Sequence, residues 1–441
     1  MVSEWDSAAL DDLVDDILDR RGITPLKLGS AFVASGYRVI SAKAIKGRRV
    51  DLSVDEPRFV NEATYRRWMR TPLLADDVIL TSEAPLGEPA YIAHAPEWCL
   101  GQRLFGIRTK KAKLNGRFLF YALQAEQVRH DLLSRATGTT AQGIRQTELR
   151  RVRIPLPAVD EQRAIANILG ALDDKLAVNR RINETLEATA RALFRSWFVD
   201  FDPVRTKCEG GNLRLPRRIA DLFPARLIDS ELDEIPEGWK VGTFGDHVEV
   251  LRDQENPLEC PDAVFRHFSL PAFDEGRWPK EELGESIKSL KFRVPAGSVL
   301  LSKLNPEIDR VWLVDVQPSD RAVCSTEFLV LRARPPAGRA FTYCFARSPV
   351  FRRQIEGLVT GTSKSHQRAQ VGSVLGIAAI RPPSALVEAF EQTVDPLLRR
   401  TLNCLRESRT LAGLRDLLLP QLISGSLRVK DVDRFVKRSI S

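Results

Sequence analysis

Between Leu172 and Trp197 a stripe of apolar and small polar residues returns at alternating steps of four and three: Leu172, Leu176, Asn179, Asn183, Leu186, Ala190, Leu193 and Trp197. That spacing puts them on one face of a helix and is the seam of a coiled coil. The same stepping recurs 225 positions later, at Leu397, Thr401, Cys404, Ser408, Leu411, Arg415, Leu418 and Leu422. Each seam follows a region of short apolar runs and turn residues. These regions repeat in order too: Val78-Ile79-Leu80-Thr81-Ser82 answers Val299-Leu300-Leu301-Ser302-Lys303, and Cys99 answers Cys324. Gly138-Thr139-Thr140 answers Gly361-Thr362-Ser363, and Arg145 answers Arg368 at the same offset.

The pattern predicts an α+β protein with two similar globular domains separated by two long helices packed as an antiparallel coiled coil, with an internal pseudo-twofold. A helix from about Asp160 to Trp197 would span roughly 55 Å at about 1.5 Å per residue, which makes the pair a spacer between two heads. A third apolar stripe, Trp5, Leu10, Leu13, Val14, Ile17 and Leu18, predicts an amphipathic N-terminal helix over 1–21. Its acidic charge would repel phosphate. It is expected to bury against the long helices or a docked subunit.

At 441 residues the chain exceeds one core, and it holds no run of eighteen apolar residues. The acidic start is unlike a signal peptide, so a cytoplasmic protein with no membrane partner is expected. The six cysteines (Cys99, Cys208, Cys260, Cys324, Cys344, Cys404) include no C-x-x-C and read as reduced packing residues.

A net charge of +8 leans toward a polyanion, and its distribution says more. Lys43, Lys46, Arg48 and Arg49 form one cluster; Arg103, Arg108, Lys110, Lys111 and Lys113 form another. Gln142 and Arg145 accompany the first Gly-Thr-Thr turn; Lys364, His366, Gln367 and Arg368 accompany the second, with Lys303 at the end of the repeated apolar run. Arg and Gln grip guanine and adenine edges bidentately. The DNA-binding candidates are therefore Lys43, Lys46, Arg48, Arg49, Arg103, Gln142, Arg145, Lys303, Lys364, His366, Gln367 and Arg368. The alternative for any one cluster is a solvated face.

Catalytic patterns are missing. Gly357 to Lys364 has the wrong spacing for a phosphate loop, and the five histidines do not group. Asp173-Asp174, beside Lys175, read as an exposed solubilising pair, and no Asn/Asp-Pro-Pro-aromatic run is present.

The segment DEQRAIANILGALDDKLAVNRRINETLEATARALFRSWFVDFDPVR at 160–205 closely resembles the central conserved region of the specificity subunits of type I restriction-modification systems. LPRRIADLFPARLIDSELDEIPEGWKVGTFGD at 215–246 is equally like them, with Pro236-Glu237-Gly238-Trp239 opening a second target recognition domain, and LRDLLLPQLISGSL at 414–427 resembles their distal helix. The resemblance implies a non-catalytic subunit whose two target recognition domains read the halves of a split double-stranded DNA site. It also implies two modification subunits docked on the long helices and two restriction subunits beyond them. S-adenosylmethionine, ATP and Mg would then belong to those partners, and this chain would bind no cofactor. The first domain lacks the Gly-Trp start, having Gly22-Ile23-Thr24-Pro25-Leu26-Lys27-Leu28-Gly29 instead.

The expected division is therefore 1–21 N-terminal helix, 22–157 first recognition domain, 158–200 central helix, 201–235 linker, 236–384 second recognition domain, 385–427 C-terminal helix and 428–441 basic tail. A coiled-coil scaffold with two protein-binding heads is the alternative, and a self-sufficient nuclease or methylase lacks the residues it would need.

Overall fold

The structure, a computed structural model, describes residues 4–138, 142–360 and 367–440. The chain forms two compact units, Met1–Val178 with Glu407–Ser441 and Asn179–Arg406. Both rest on the same strand plan. In the first, an antiparallel sheet runs in the order Val14–Asp19, Leu104–Thr109, Val78–Thr81, Pro89–Tyr91; in the second, the order is Val248–Leu251, Phe328–Ala333, Val299–Ser302, Val311–Leu313.

Val78–Leu80 and Val299–Leu301 are apolar at three successive positions because each sheet has a core on both faces. Val78 and Leu80 point into one cluster with the long helices, and Ile79 into another. Val299 and Leu301 divide from Leu300 in the same way. A second sheet also repeats. Tyr37–Ile40 pairs antiparallel with Arg58–Val60 and parallel with Trp98–Leu100. Val264–Phe268 does the same with Lys280–Leu283 and Ala322–Cys324, and Lys291–Arg293 and Gln254–Glu255 extend that sheet. The backbone bonds Gly101 N to Ile40 O and Ser325 N to Phe268 O fix the register of this match. They set Cys324 opposite Leu100 in the alignment of the two units, one residue from the Cys99 match that sequence suggested.

Two long helices, Val159–Phe198 and Ser384–Ser424, each begin a few residues after a short strand, Arg153–Pro155 or Ala378–Arg381. In the first unit the seam closes antiparallel. Asp173 meets Arg415 at 2.8 Å and Lys175 meets Glu407 at 3.3 Å, so position rises on one helix as it falls on the other. Ile165 and Leu169 share a core with Leu418 and Leu422. In the second unit Phe194, Trp197 and Phe198 surround the Phe390 ring at 5.2–5.7 Å, in a core that continues through Val394, Leu398 and Leu402.

The N-terminal stripe is not a helix. Ser7–Ala9 is a strand, only Leu10–Leu13 turns helically, and Val14–Asp19 is a strand against Leu104–Thr109. A β-bulge opposite Arg108 and Thr109 leaves Asp15 unpaired, and the strand is covered on both sides, Val14 and Ile17 by one core and Leu18 by another. Bulge plus two-sided burial produces i, i+3, i+4 spacing without a helix. This segment opens the first domain. Ser7 pairs with Pro155 as Val241 pairs with Ile380, and Leu10 N donates to Val152 O as Phe244 N donates to Ile377 O, at 2.9 and 2.8 Å. Counting back two residues from Ser7 and from Val241 aligns Trp5 with Trp239. The tryptophan expected at a domain start stands at position 5, and the domain does not begin at Gly22.

The stretch between the first long helix and Trp239 holds helices Asp202–Cys208 and Arg217–Ala220 and a hairpin of Leu227–Ser230 with Asp233–Pro236. Ile219 and Phe223 are buried against Trp197 and Trp239. The basic tail contains a short helix, Val432–Ile440, with Val432 in the first unit's core. All six cysteines are free thiols, four of them buried. Among the described residues no helix is long and apolar enough to cross a membrane.

Candidate nucleic-acid interface

In the first unit, Ile45–Lys46 and Arg49–Val50 form a hairpin closed by Gly47 and Arg48. Both turn residues have positive φ, 60° and 65°, the backbone of a type I′ turn, which glycine accepts readily and arginine holds at a cost. Lys43 and Lys46 are exposed. Arg49 bonds Asp51 at 2.6 Å, and the Ser53 hydroxyl together with Arg49 holds the Asp51 carboxyl down at about 2. Arg48 points elsewhere, to Asp416 on the second long helix at 2.9 Å. In the other basic cluster Arg108 is structural, because its guanidinium lies 2.7 Å from Asp77, a carboxylate only 2 % exposed.

Near Lys43 a cleft of about 440 Å³ is lined by Phe32, Ser41, Arg58, Trp68 and Gln102. Phe32 is 48 % exposed and carries the Arg58 guanidinium over its ring at 5.8 Å. Neither residue was singled out by sequence. An exposed Phe is an unremarkable letter in a sequence until its neighbours are known.

The two glycine-threonine loops leave the sheets at matching places. In the first unit Thr137 bridges Gly143, Glu83 also bridges Gly143, and Ile144 N donates to Ser82 O. In the second, Thr360 pairs with Arg368, Leu304 bridges Arg368, and Ala369 N donates to Lys303 O. Gly143 and Arg368 are therefore equivalent, and so are Gln142 and Gln367. Arg145 is not the counterpart of Arg368. It stands at the N-terminus of helix Gln146–Leu149, where Gln370 stands before Val371–Leu375. The loops enclose five residues (138–142) and seven (361–367), so a constant offset drawn through the glycines slips by two after the longer loop.

Gln142 and Arg145 are exposed; Lys303 and Gln367 are half-buried. Arg103 lies 2.7 Å from Glu83. Arg368 holds Glu327 through Nε and Nη2, the latter at 2.8 Å, and Glu327 raises its pKa. Thr139, Thr140, Ala141, Lys364 and His366 lie outside the described residues. The structure thus brings Arg103 and Gln142 to neighbouring backbone at the end of one sheet, and Lys303, Gln367 and Arg368 at the end of the other. Lys43, Lys46 and Arg49 sit on a separate hairpin. Arg21, which sequence passed over, joins the first group: its Nη1 donates to Ile144 O, and Glu83 acts on it electrostatically.

The acidic pair on the first long helix is engaged and not merely solubilising. Asp173 accepts from the Tyr121 hydroxyl at 2.6 Å and from Arg415, and Asp174 binds Arg117. Burial and that carboxylate push the Tyr121 hydroxyl up beyond the ordinary phenol range. Such contacts fix the first unit's strands and short helices to the long helices.

Residues 69–188 match the family described as type I restriction modification DNA specificity domain. Over 422 residues the chain is 24% identical to the type I restriction enzyme MjaIX specificity subunit of Methanocaldococcus jannaschii, an alignment covering 93% of this chain and 87% of that protein. It is also 24% identical over 334 residues to the HindI specificity subunit of Haemophilus influenzae, covering 62% and 68%. Among solved structures the type I restriction-modification S subunit from M. genitalium has a similar fold, with TM-score 0.59 at 15% identity and 95% and 96% of the two chains covered.

Proposed function

We propose that this chain, which belongs to the family of type I restriction-modification specificity subunits, is the non-catalytic DNA-reading subunit of such a complex and recognises a bipartite site, one half with each strand-built unit. The observation that carries this reading is the duplication itself: one sheet order, one second-sheet pairing and one strand-to-long-helix junction occur twice in a single chain. A chain that duplicates a reader and joins the copies by long helices suits a split site. The same chain similarity supports assembly with methyltransferase and restriction subunits.

In finer detail, two modification subunits would dock on the long helices and bring S-adenosylmethionine-dependent adenine methylation, while two restriction subunits would add ATP- and Mg-driven translocation and cleavage. The work belongs in the cytoplasm. Lys43, Lys46 and Arg49 would contact phosphate on one half-site, Gln142 and Arg145 would face the same half-site from their own loop, and Lys303, Lys364, His366 and Gln367 would face the other. Arg48 is left out, since it is turned to Asp416.

The test is DNA binding by the full chain with its methyltransferase partner across a salt series, followed by mapping of methylated sites. A reader loses affinity linearly in log salt through released counterions and methylates two short blocks separated by a fixed spacer. Salt-insensitive or undetectable binding, with capture of a protein ligand by the heads, would favour the scaffold alternative instead.

A further inference from the structure

The strand ends that carry the two loops each hold one arginine-glutamate pair, but with its sense reversed. Ser82 N donates to Arg103 O at 2.9 Å, and Lys303 N donates to Glu327 O at the same distance, so Arg103 and Glu327 occupy one backbone position in the two units. Glu83 bridges Gly143 where Leu304 bridges Arg368. In the first unit the cation is on the strand and the anion across from it is Glu83; in the second the anion is on the strand and the cation comes from the loop. Both forks are exposed, Arg103 at 56 % and Arg368 at 49 %.

Exposed ion pairs contribute little to stability, so stability explains neither the recurrence nor the reversal. What the two arrangements share is a guanidinium held along its Nε side by a carboxylate, at the root of a loop. Pre-ordering an arginine fork lowers the entropy lost when it meets two acceptors at once. The base edge with two acceptors side by side, O6 and N7, is guanine in the major groove. The adjacent carboxylate also offsets part of such an arginine's attraction to phosphate.

We infer that Arg103 and Arg368 read a guanine in each half of the site, with Glu83 and Glu327 as the positioning residues that aim them. This rests on the DNA-reading function proposed above and names what it reads.

The experiment selects duplexes from a pool with two randomised blocks, using the full chain assembled with its methyltransferase partner, for wild type and R103A, R103K, E83Q, R368A and E327Q. Wild type should retain a guanine in both blocks. R103A should lower discrimination at that guanine about ten-fold in one block only, and R368A in the other. E83Q and E327Q, which keep size and fold, should weaken the same positions as their arginines. R103K should fail to restore the preference, because an ammonium cannot make the bidentate contact, and the salt slope of R103A should stay near that of wild type. The inference is overturned by half-sites without guanine, by alanine variants that keep the wild-type preference, or by full rescue with R103K, which marks a phosphate contact. In each of those results sequence selection by the wild type leaves the DNA-reading function standing. A wild type that selects no sequence removes both.

Discussion

At the scale of single residues the second unit is held by a charge buried far more deeply than the arginine at the root of its glycine-threonine loop. Arg347, whose side chain is 5 % exposed, bonds Glu187 at 2.8 Å, Asp309 at 3.0 Å and the Tyr343 hydroxyl. Burial pushes the Glu187 carboxyl up, but Arg347 and Arg277 outweigh it and leave the group below its ordinary value. Removing one partner strands the other in low dielectric, and such losses cost about 3–5 kcal/mol. Arg347→Met should therefore lower the urea midpoint of the second unit's transition, followed by tryptophan fluorescence, and Glu187→Gln should do so less, because Asp309 still faces the arginine. Because the folded-state pKa of Glu187 is depressed, its contribution is fully present above the unfolded value near 4.5 and is lost as pH falls through the lower folded value. The midpoint of wild type should thus fall below pH 4.5, and that of Glu187→Gln should fall less over the same interval. Equal pH dependence in the two proteins would remove Glu187 from the account. This network was invisible in the sequence. Glu187 and Arg347 are 160 positions apart, and each alone reads as a solvated charge.

Elements were more legible, and unevenly so. The long helices were read correctly because a seam sustained over seven steps has no competing explanation, and the apolar runs at Val78 and Val299 because strands covered on both faces are apolar throughout. The N-terminal stripe failed for a local reason: one bulged residue shifts a strand's alternation into a helical rhythm, and no residue type announces the bulge. The loop equivalences slipped for another, a two-residue difference in loop length that backbone pairing reveals and letters do not. The corrected first domain has a mechanical consequence. Leu10 and Phe244 occupy equivalent, fully buried positions at the starts of the two domains. Leu10→Ala should destabilise the first unit by about 2–5 kcal/mol and Phe244→Ala the second by about 3–5 kcal/mol, each seen as a drop in one of two denaturation transitions. Were residues 4–19 a detachable helix lying on the domain, Leu10→Ala would leave the first unit's midpoint within a few tenths of a kcal/mol.

For the whole molecule the question is which surfaces remain for partners once the chain has satisfied itself. The seam of the long helices is taken up by packing and by pairs such as Asp173 with Arg415, and Arg48 and Arg117 are committed to these helices from the recognition fold. Arg181 and Arg191 lie off the seam and are exposed on Val159–Phe198, with Arg180 exposed beside them. A helix pair covers only part of its own circumference, and the docking proposed above would place a modification subunit on this exposed basic face. Charge at the rim of an interface acts mainly on association and its salt dependence. Arg181→Glu with Arg191→Glu should therefore reduce co-purification of the modification subunit, with the deficit growing as salt is lowered because repulsion is then least screened. The first unit's transition should stay at its wild-type midpoint, and the second unit's should fall slightly, because Arg191 acts on Glu187 through space although neither arginine is part of a core. Undiminished co-purification at low salt would move the docking surface to another face of the helices, and a fall as large as that of Arg347→Met would mean that the two side chains serve the fold.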